Sequence, residues 1–575
     1  MTGARRGALT QALRPLTRLL PRRADYAGLR RSWPRDLAAG VTVGVVALPL
    51  ALAFGVASGV GAAPGLITAV VAGAVAAVLG GSSLQVSGPT GAMTVVLVPV
   101  AAEHGAGAVY PVAVMAGVLV VAAAVLRLGR LLAYVPWPLV EGFTLGIAVV
   151  IAAQQVPTAL GVAPPGVENA AGAAAVAVAR FAARPDWPVL ALLATSVLLT
   201  ALLPRVHRAL PASLLAVALV TVVVELSGVE VARIGSLPSS LPVPSVPDLG
   251  AAPELVGAAL VVAFLAALES LLSARVADGM SDAPRHDPDR ELFGQGLANI
   301  ASGLSGGLPA TGAIARTAVN ARAGATTRVA ALTHALVLAA IVYAASGLVG
   351  RIPLVALAGV LLVTAYRMVE RSTVRAVLTS TRSDALVFVL TAAATVAFDL
   401  VTAVELGLGL AVLLAVARLA RTARVVPEPP VADGVDSATE HALLQGHVLT
   451  YRLDGPLFFP VADRFLRELT AVADVRVVIL RLGSLAALDA TGARALGEIT
   501  DRLHRRGTTV LVKLASEEHR RLLTAVGALE PLVERGHVFA TFPEAAVHAA
   551  RHVAAAPSSD LSLLVPNEKV SCDQR

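Results

Sequence analysis

A motif that occurs twice decides the fold of this chain: V-S-G-P-T-G-A-M-T-V at Val86–Val95 and G-L-P-A-T-G-A-I-A-R-T-A at Gly307–Ala318. Each copy runs through a proline into Thr-Gly-Ala and then into a helix-like sequence, inside a strongly hydrophobic region. Such breaks are normally costly there, because backbone groups freed from a helix find no water in hydrocarbon. Breaks at matching positions of two halves instead indicate the binding site of an inverted-repeat transporter.

The composition is that of a membrane protein with many spans. Of 575 residues, 56% are hydrophobic and 15% are charged, and the mean hydropathy is +0.75. The net charge of +7 does not indicate a nucleic-acid partner, because the arginines lie in short segments beside apolar runs. This pattern predicts a cytoplasmic N-terminus. An even number of spans would place the C-terminus there too, and the expected location is the bacterial inner membrane. We expect no cleavable signal peptide, since the first apolar run begins near Leu37, and the single Cys572 excludes an internal disulfide.

About fourteen candidate spans fill residues 37–424, after a basic cytoplasmic arm at residues 1–36, when roughly 20 apolar residues make a span and shorter half-helices are allowed. They centre on Val45, Ala72, Val95, Val118, Ala148, Leu193 and Ala218 in the first half, and on Leu265, Asn299, Ala318, Leu336, Val360, Val389 and Val412 in the second. An Ala-rich segment at residues 170–183 is predicted as an amphipathic connector. Seven spans in each half force opposite orientations, so we predict a polytopic α-helical 7+7 inverted repeat.

A soluble domain follows the spans. Residues 425–438 are polar and proline-rich and are predicted as a linker, and residues 439–555 alternate strand and helix patterns, which indicates a small α/β domain. Residues 556–575 are predicted as a disordered tail. The predicted strands are residues 448–453, 476–482 and 509–514, and the predicted helices are residues 461–472 and 493–506.

The paired motifs suggest an anion site. A helix that begins inside the membrane has unpaired N–H groups and a partial positive charge at its first turn. Two such ends facing each other would bind a small anion, with hydroxyls added by Thr90 and Thr311 and close approach allowed by Gly91 and Gly312. The alternative is that each motif is only a tight contact between small residues of packed helices.

Two ionisable residues lie near these motifs. Arg316 falls in the first turns of the second half-helix, where the helix dipole disfavours a cation, and a bound anion or an acidic partner would resolve the conflict. Glu269 lies within an apolar run with Ser273 one turn later, so it is a candidate proton carrier. The alternatives are an arginine that reaches water or pairs structurally, and a purely structural ion pair between the two residues.

In the soluble domain, Thr491 follows Asp489 at the start of a helix. Either residue can simply cap that helix, whereas a phosphate on Thr491 would be favoured by the helix N-terminus. No catalytic nucleophile, metal-ligand set or nucleotide loop is evident, so neither an enzyme nor a cofactor is expected.

The chain resembles the SulP family of anion transporters, of the sulfate permease type, with a C-terminal STAS domain. The resemblance covers nearly the whole chain. It is carried by D-L-A-A-G-V-T-V-G-V-V-A-L-P-L-A-L-A-F-G-V-A-S-G (Asp36–Gly59), the two Thr-Gly-Ala motifs, L-E-S-L-L-S-A-R-V-A-D-G-M (Leu268–Met280), E-L-F-G-Q-G-L-A-N-I (Glu291–Ile300), and, in the STAS part, D-G-P-L-F-F (Asp454–Phe459) and L-D-A-T-G-A (Leu488–Ala493).

The resemblance implies core and gate domains that move against each other, usually in a homodimer. It places the anion between the third and tenth spans, at Thr90-Gly91-Ala92 and Gly312-Ala313-Ile314, with Arg316 just beyond. Proton-coupled members carry Glu at position 269. The sodium-coupled bicarbonate type carries Asp there and Thr at positions 273 and 314, and this chain departs from all three. In the STAS part, the resemblance extends to anti-sigma-factor antagonists, which have a phosphorylatable Ser at the position of Thr491.

These observations predict a secondary active transporter of a small inorganic or carboxylate anion, of the sulfate, bicarbonate or C4-dicarboxylate class, coupled to protons by alternating access. The alternatives are a sodium-coupled bicarbonate transporter, an uncoupled anion channel, and a nucleobase carrier, which shares the inverted seven-helix fold. From another class comes a membrane signalling scaffold, in which a STAS domain with a cytoplasmic partner relays a phosphorylation state.

Overall fold

The computed structural model describes residues 18–554 except 27–28, 131–134, 164, 168, 208–209, 239, 241, 282–284, 399, 429–446, 460, 463, 466–474 and 515. Residues 1–17 of the predicted basic arm, most of the predicted linker and the whole predicted tail lie outside the described residues. The chain divides into two compact units, residues 1–411 and 412–575, which are treated separately.

The described part of the first unit consists almost entirely of helices. In the first half these are α1 (Leu29–Ala57), α2 (Ala62–Leu79), α3 (Gly91–His104), α4 (Val109–Val125), α5 (Trp137–Ala159), α6 (Ala170–Ala183), α7 (Trp187–Val206) and α8 (Ala212–Ser227). In the second half they are α9 (Ala252–Met280), α10 (Pro288–Leu304), α11 (Ile314–Arg322), α12 (Arg328–Gly350), α13 (Leu354–Met368), α14 (Arg371–Thr379), α15 (Arg382–Ala397) and α16 (Leu400–Thr422), the last of which continues into the second unit.

All fourteen predicted span centres lie in these helices, so the helical fold class is confirmed. The predicted connector is α6, and the side chain of Asn169 begins it by accepting hydrogen bonds from the N–H groups of Ala171 and Gly172. The short helix α14 was not predicted. Its sequence, R-S-T-V-R-A-V-L-T, is too polar to resemble a span.

Not every predicted span has full length. Among the described residues, seven helices are long and apolar enough to cross a membrane, and α12 becomes an eighth if its two parts, which meet at an angle of 72°, count as one span. The helices that carry the Thr-Gly-Ala motifs are shorter, at 14 residues for α3 and 9 residues for α11. They are short because the Pro-Thr-Gly and Pro-Ala-Thr-Gly segments before them are extended rather than helical.

The helix packing repeats when the halves are exchanged. Helix α4 of the first half packs on α10 and α9 of the second half. Its counterpart in the second half, α12, packs on the matching helices of the first half, α2 and α1. A second group of helices behaves in the same way, with α5 on α15 and its counterpart α13 on α7. This exchange is what two structurally equivalent halves produce. Most of this packing falls within the first four spans of each half or within the last three, although α1 also packs on α13 and α8.

The two motif segments meet within the group formed by the first four spans of each half. Ser87–Gly88 (β1) and Thr311–Gly312 (β2) pair antiparallel, with Ser87 opposite Gly312 and Gly88 opposite Thr311. The chain leaves this two-stranded ladder into α3 on one side and α11 on the other. The ladder satisfies backbone groups that the interrupted helices cannot satisfy themselves, so the break in each half is supported by the other half.

Two buried carboxylates fix the loops around this group. Asp36 on α1 accepts hydrogen bonds from the N–H groups of Thr326 (2.6 Å) and Thr327 (3.1 Å), just before α12. Glu291 on α10 accepts from the N–H groups of Gly81 and Ser82, both at 2.8 Å, just after α2. Because buried carboxylates are stable only with such donors, these contacts explain why acidic residues occur in the apolar motifs that begin at Asp36 and Glu291.

The second unit is a small α/β domain, as predicted. Its strands are β3 (Arg424–Glu428), β4 (Val448–Leu457), β5 (Val477–Arg481), β6 (Leu485–Leu488), β7 (Thr509–Lys513) and β8 (Val538–Phe539). Its helices are α17 (Ala490–Arg505), α18 (Glu517–Ala525), α19 (Glu530–Glu534) and α20 (Phe542–Ala554). The sheet order is β3-β4-β5-β7-β8, with β6 beside β4; β3 is antiparallel to β4, and the other pairs are parallel.

The three predicted strands are confirmed within a few residues, but two other details differ. Residues 425–428, predicted as the start of the linker, belong to edge strand β3, which tolerates Pro427 because an edge strand has one unpaired side. Strands β6 and β8 were missed because they have only four and two residues. Most of the helix predicted at residues 461–472 lies outside the described residues.

Candidate functional site

The two Thr-Gly-Ala motifs form one site. Thr90 precedes α3 and Ala313 precedes α11, and both have extended backbones. Within the described part of the chain, neither residue's side chain hydrogen-bonds to the N–H groups of the helix that follows it. These helix ends therefore keep the positive end of their dipoles free of a capping oxygen, as an anion site requires.

Glu269 on α9 connects the two motifs. Its Oε2 accepts a hydrogen bond from the hydroxyl of Thr90 at 3.0 Å and another from the hydroxyl of Thr311 at 2.8 Å. Thr311 is fully buried, whereas Glu269 and Thr90 are partly exposed. The carboxylate therefore takes the two hydroxyl donors that the sequence assigned to the anion.

Arg316 lies behind the ladder and does not pair with Glu269. Its guanidinium donates from Nη2 to the carbonyl oxygen of Pro89, while Nη1 is buried without a hydrogen-bond partner in the described region. The side chain is 3% exposed, and no acidic group of the described residues forms an ion pair with it. The alternatives of an arginine that reaches water and of an ion pair with Glu269 are therefore wrong for this conformation.

The motif glycines are needed for packing. A Cβ at Gly91 would collide with the side chain of Ile151 and lie 3.4 Å from Phe54. A Cβ at Gly312 would collide with the amide of Gln85 and lie 3.0 Å from the Cα of Ser270 on α9. Protein atoms thus occupy the space beside both glycines, and close approach of a ligand at these positions stays a prediction.

Other predicted contact residues differ in accessibility. Ala92 and Ala313 are nearly fully buried, and their backbones are what they can offer to a ligand. Ile314, the first residue of α11, is 42% exposed. The accessible part of the site therefore consists of the first turn of α11 and the neighbourhood of Thr90 and Glu269.

Ser273 lies outside this group of contacts. Its hydroxyl is 2.9 Å from the hydroxyl of Thr317 on α11, which also accepts a hydrogen bond from the N–H of Val86. The hydroxyl one turn closer to the site is that of Ser270, which accepts from the N–H of Gly312 at 3.0 Å. Ser273 thus joins α9 to α11, and its role in coupling stays a prediction.

A polar stripe on α10 holds the second motif. The sequence analysis did not predict that this stripe supports the site. Asn299 binds the backbone of Ala310 twice, by accepting from its N–H at 2.8 Å and donating to its carbonyl at 2.9 Å. Gln295 donates to the same carbonyl and accepts from the hydroxyl of Ser87, so it joins the two motifs. The signal was present: Glu291, Gln295 and Asn299 recur every four residues on one face of this helix.

In the α/β unit, the capping interpretation is confirmed for Asp489. Its side chain accepts from the N–H of Gly492 at 2.7 Å, and its second oxygen accepts from the N–H of Phe459. Thr491 is exposed in the first turn of α17, which leaves its hydroxyl accessible. Its phosphorylation stays a prediction.

Comparison with known families assigns both units. The pattern of the sulfate permease family matches residues 34–391, and that of the STAS domain matches residues 442–545. The first match covers more than half of the chain and contains Glu269, both Thr-Gly-Ala motifs and the polar stripe of α10. The STAS match covers β4 and most of the elements that follow it.

Individual relatives agree with these matches. The chain is 34% identical over 511 residues to the Bacillus subtilis protein YvdB, whose name as a sulfate transporter is provisional, and this match covers 86% of the chain and 94% of YvdB. It is 32% identical over 513 residues to the bicarbonate transporter BicA of Synechocystis, covering 86% and 90%. The solved structure of the murine anion transporter Slc26a9 has the same fold, with a TM-score of 0.80 at 16% identity and coverage of 90% and 91%.

Proposed function

The chain belongs to the sulfate permease family, and on that premise we propose that it moves a small oxyanion or carboxylate inward together with protons. Membership in the family makes it a multi-pass membrane transporter of anions rather than an enzyme. The coupling ion, the substrate and the order of events are our proposal. One observation carries it: a single carboxylate oxygen of Glu269 takes the hydroxyl donors of both motifs.

This arrangement makes the ionised Glu269 a competitor of the anion. While the carboxylate is charged, it holds both threonine hydroxyls, and its negative charge repels an anion at the adjacent helix ends. Protonation removes the charge and turns one carboxyl oxygen into a donor, so the hydroxyls become free to bind the anion. Anion and proton therefore bind together and leave together, which is symport.

The remaining parts of the site support the anion in this scheme. The first-turn N–H groups of α3 and α11 donate to it, and the buried Nη1 of Arg316 supplies an uncompensated positive charge nearby. Alternating access follows if the first four spans of each half, which contain both motifs, move against the last three spans of each half. The protein would work as a homodimer in the bacterial inner membrane, as the family resemblance implies.

Proteoliposome uptake tests the coupling. With the wild type, uptake should rise when an inward proton gradient is imposed, and Glu269→Gln should abolish this response while retaining downhill anion exchange. Glu254→Gln is the control on the same helix α9, because Glu254 lies in its first turn, is largely exposed and contacts His104 at the far end of α3 rather than either Thr-Gly-Ala motif. Accumulation driven by a proton gradient in Glu269→Gln would exclude this residue from coupling.

The same vesicles test the substrate. Sulfate, bicarbonate, succinate and fumarate compete for uptake at two pH values, with and without sodium, since the relatives carry names of both sulfate and bicarbonate transporters. Dependence on sodium instead of pH would favour the sodium-coupled bicarbonate alternative. Flux that follows voltage without accumulation would favour an anion channel.

The single cysteine, Cys572, allows a test of the orientation of the chain in the membrane. We propose that both termini are cytoplasmic, because arginines precede the first span and the family's STAS domain follows the last. In sealed right-side-out vesicles, a membrane-impermeant maleimide should label Cys572 only after detergent is added. Labelling of the intact vesicles would overturn the proposed orientation.

A further inference from the structure

Three histidines from two elements converge at the end of the α/β sheet. His537 directly precedes edge strand β8, while His548 and His552 lie one turn apart on α20. The ring centroids are 5.6 Å apart for His537 and His548, 5.7 Å for His537 and His552, and 5.3 Å for His548 and His552. One ring nitrogen from each residue lies within 4.8 Å of the other two.

Rigid structure holds these rings in place. The carbonyl of His537 accepts a hydrogen bond from the N–H of Val512 on β7 at 2.9 Å. Helix α20 buries Ala545, Ala549 and Val553 against the sheet, and this fixes the face that carries the two histidines. The three ligand positions are therefore set by packing of the α/β core rather than by a loop, as a pre-organised site requires.

The cluster also lacks the partners that histidines normally use. Nε2 of His548 is buried and has no hydrogen-bond partner in the described part of the chain. Neutral imidazoles have a free lone pair, and this is the form that binds a metal ion.

We propose that His537, His548 and His552 bind one divalent transition-metal ion, with Zn²⁺ as the ion that best fits three imidazole nitrogens. A pair of histidines four residues apart on a helix presents both rings on one face, and the third lies directly before the neighbouring strand β8. Tetrahedral Zn²⁺ with bonds of about 2.0–2.1 Å needs nitrogens about 3.3 Å apart, which small side-chain rotations provide. A water or another small ligand completes the coordination, because His552 is exposed to solvent.

This site is independent of the transport proposal. The three residues lie in the second unit, far along the chain from Glu269 and the Thr-Gly-Ala motifs. Metal bound here would tie α20 to edge strand β8 and stabilise the fold of the STAS domain. Sequence spacing alone did not reveal it, since His537 is separated from His548 by ten residues of strand, turn and helix.

The test uses the full chain, purified in detergent with an affinity tag free of histidine and freed of metal with a chelator. Co²⁺ serves as the optical probe, because four-coordinate Co²⁺ has intense visible absorption. We expect saturation at one equivalent of Co²⁺ per chain, displacement by one equivalent of Zn²⁺, and a higher Tm of the α/β unit with Zn²⁺. Absence of a saturable spectral change, or no displacement by Zn²⁺, would overturn the proposal.

Variants locate the site. His552→Gln should weaken Co²⁺ binding at least about 10-fold, and its exposed position makes misfolding of the variant improbable; elution volume in size exclusion checks this. His519→Gln is the control within the same unit, since His519 lies on α18 outside the cluster; His519 is buried, so size exclusion must first show that the variant is folded, and it should then bind Co²⁺ like the wild type. Equal affinity of wild type and His552→Gln, or loss of binding in His519→Gln, would place the metal elsewhere and refute the assignment.

Discussion

Replacement of Arg316 by methionine should make the protein more stable and its anion binding weaker. Methionine fills most of the same space without a charge. In the structure, Arg316 is 3% exposed, donates to the carbonyl of Pro89 and leaves Nη1 without a partner in the described region. It also lies near the positive ends of α3 and α11, where a cation is disfavoured.

The size of the effect follows from two opposing terms. A buried charge without an ionic partner costs several kcal/mol, whereas a hydrogen bond from a charged donor contributes only about 1.5–3 kcal/mol. The anion-free variant should therefore be more stable by about 1–3 kcal/mol, which corresponds to a rise in Tm of roughly 1–3 °C for a chain of this length. The anion loses an interaction of about 2–4 kcal/mol at the effective dielectric constant of a protein, so its Kd should rise roughly 30-fold or more.

Arg328→Met is the matched control with the opposite expected sign. Arg328 is 4% exposed, and its Nη1 donates to the carbonyls of Ala77 (3.2 Å) and Gly80 (2.6 Å) at the end of α2. The helix dipole favours a cation at a helix C-terminus. Removal of Arg328 loses this interaction and also leaves buried carbonyls unpaired, so it should lower the Tm. Tryptophan fluorescence on heating in detergent measures the Tm, and anion-dependent shifts of the Tm give the Kd.

A fall in Tm for Arg316→Met comparable to that for Arg328→Met would refute the reasoning. Arg316 would then be a structural link between the halves, and its unpaired nitrogen would have no relation to the anion. Unchanged anion affinity in a well-folded Arg316→Met variant would refute the second part, because it would remove Arg316 from the site.

Two further substitutions test the support of the site. Asn299→Ala should leave the N–H of Ala310 unpaired at a cost of about 1–3 kcal/mol and raise the KM for the anion. Thr391→Val removes a buried hydroxyl without a partner among the described residues, so it should leave the KM unchanged and should not lower the stability. An unchanged KM in Asn299→Ala would show that Asn299 does not position Thr311. Gly312→Ala should lower the Tm through its collision with Gln85, at about 1–3 kcal/mol, whereas Gly257→Ala on α9, where a Cβ meets no atom within 4 Å, should be neutral or stabilising. Equal Tm values for these two variants would contradict the packing role of Gly312.

Local features of the sequence were sufficient to predict most of the helices. A run of apolar residues must become a helix in a membrane because no other open structure satisfies its backbone, so the centres of the spans follow from composition alone. Caps such as Asp489 are also local, since the side chain binds an N–H group only three residues away. Strand β3 was missed because its pairing with β4 bridges more than twenty residues, and proline in its sequence indicated a linker.

The amino-acid sequence was enough to predict two related halves, a break at Thr-Gly-Ala in each half, and an acid and an arginine near the breaks. The three-dimensional packing was needed to show which of these groups meet. Glu269 contacts both threonines and Arg316 contacts the backbone of the other half, although charge alone favoured a pair between them. The same holds for the three histidines at the end of the sheet. Partner choice depends on distances between segments far apart in the chain, and these distances are set by packing of the whole unit rather than by any short run of residues.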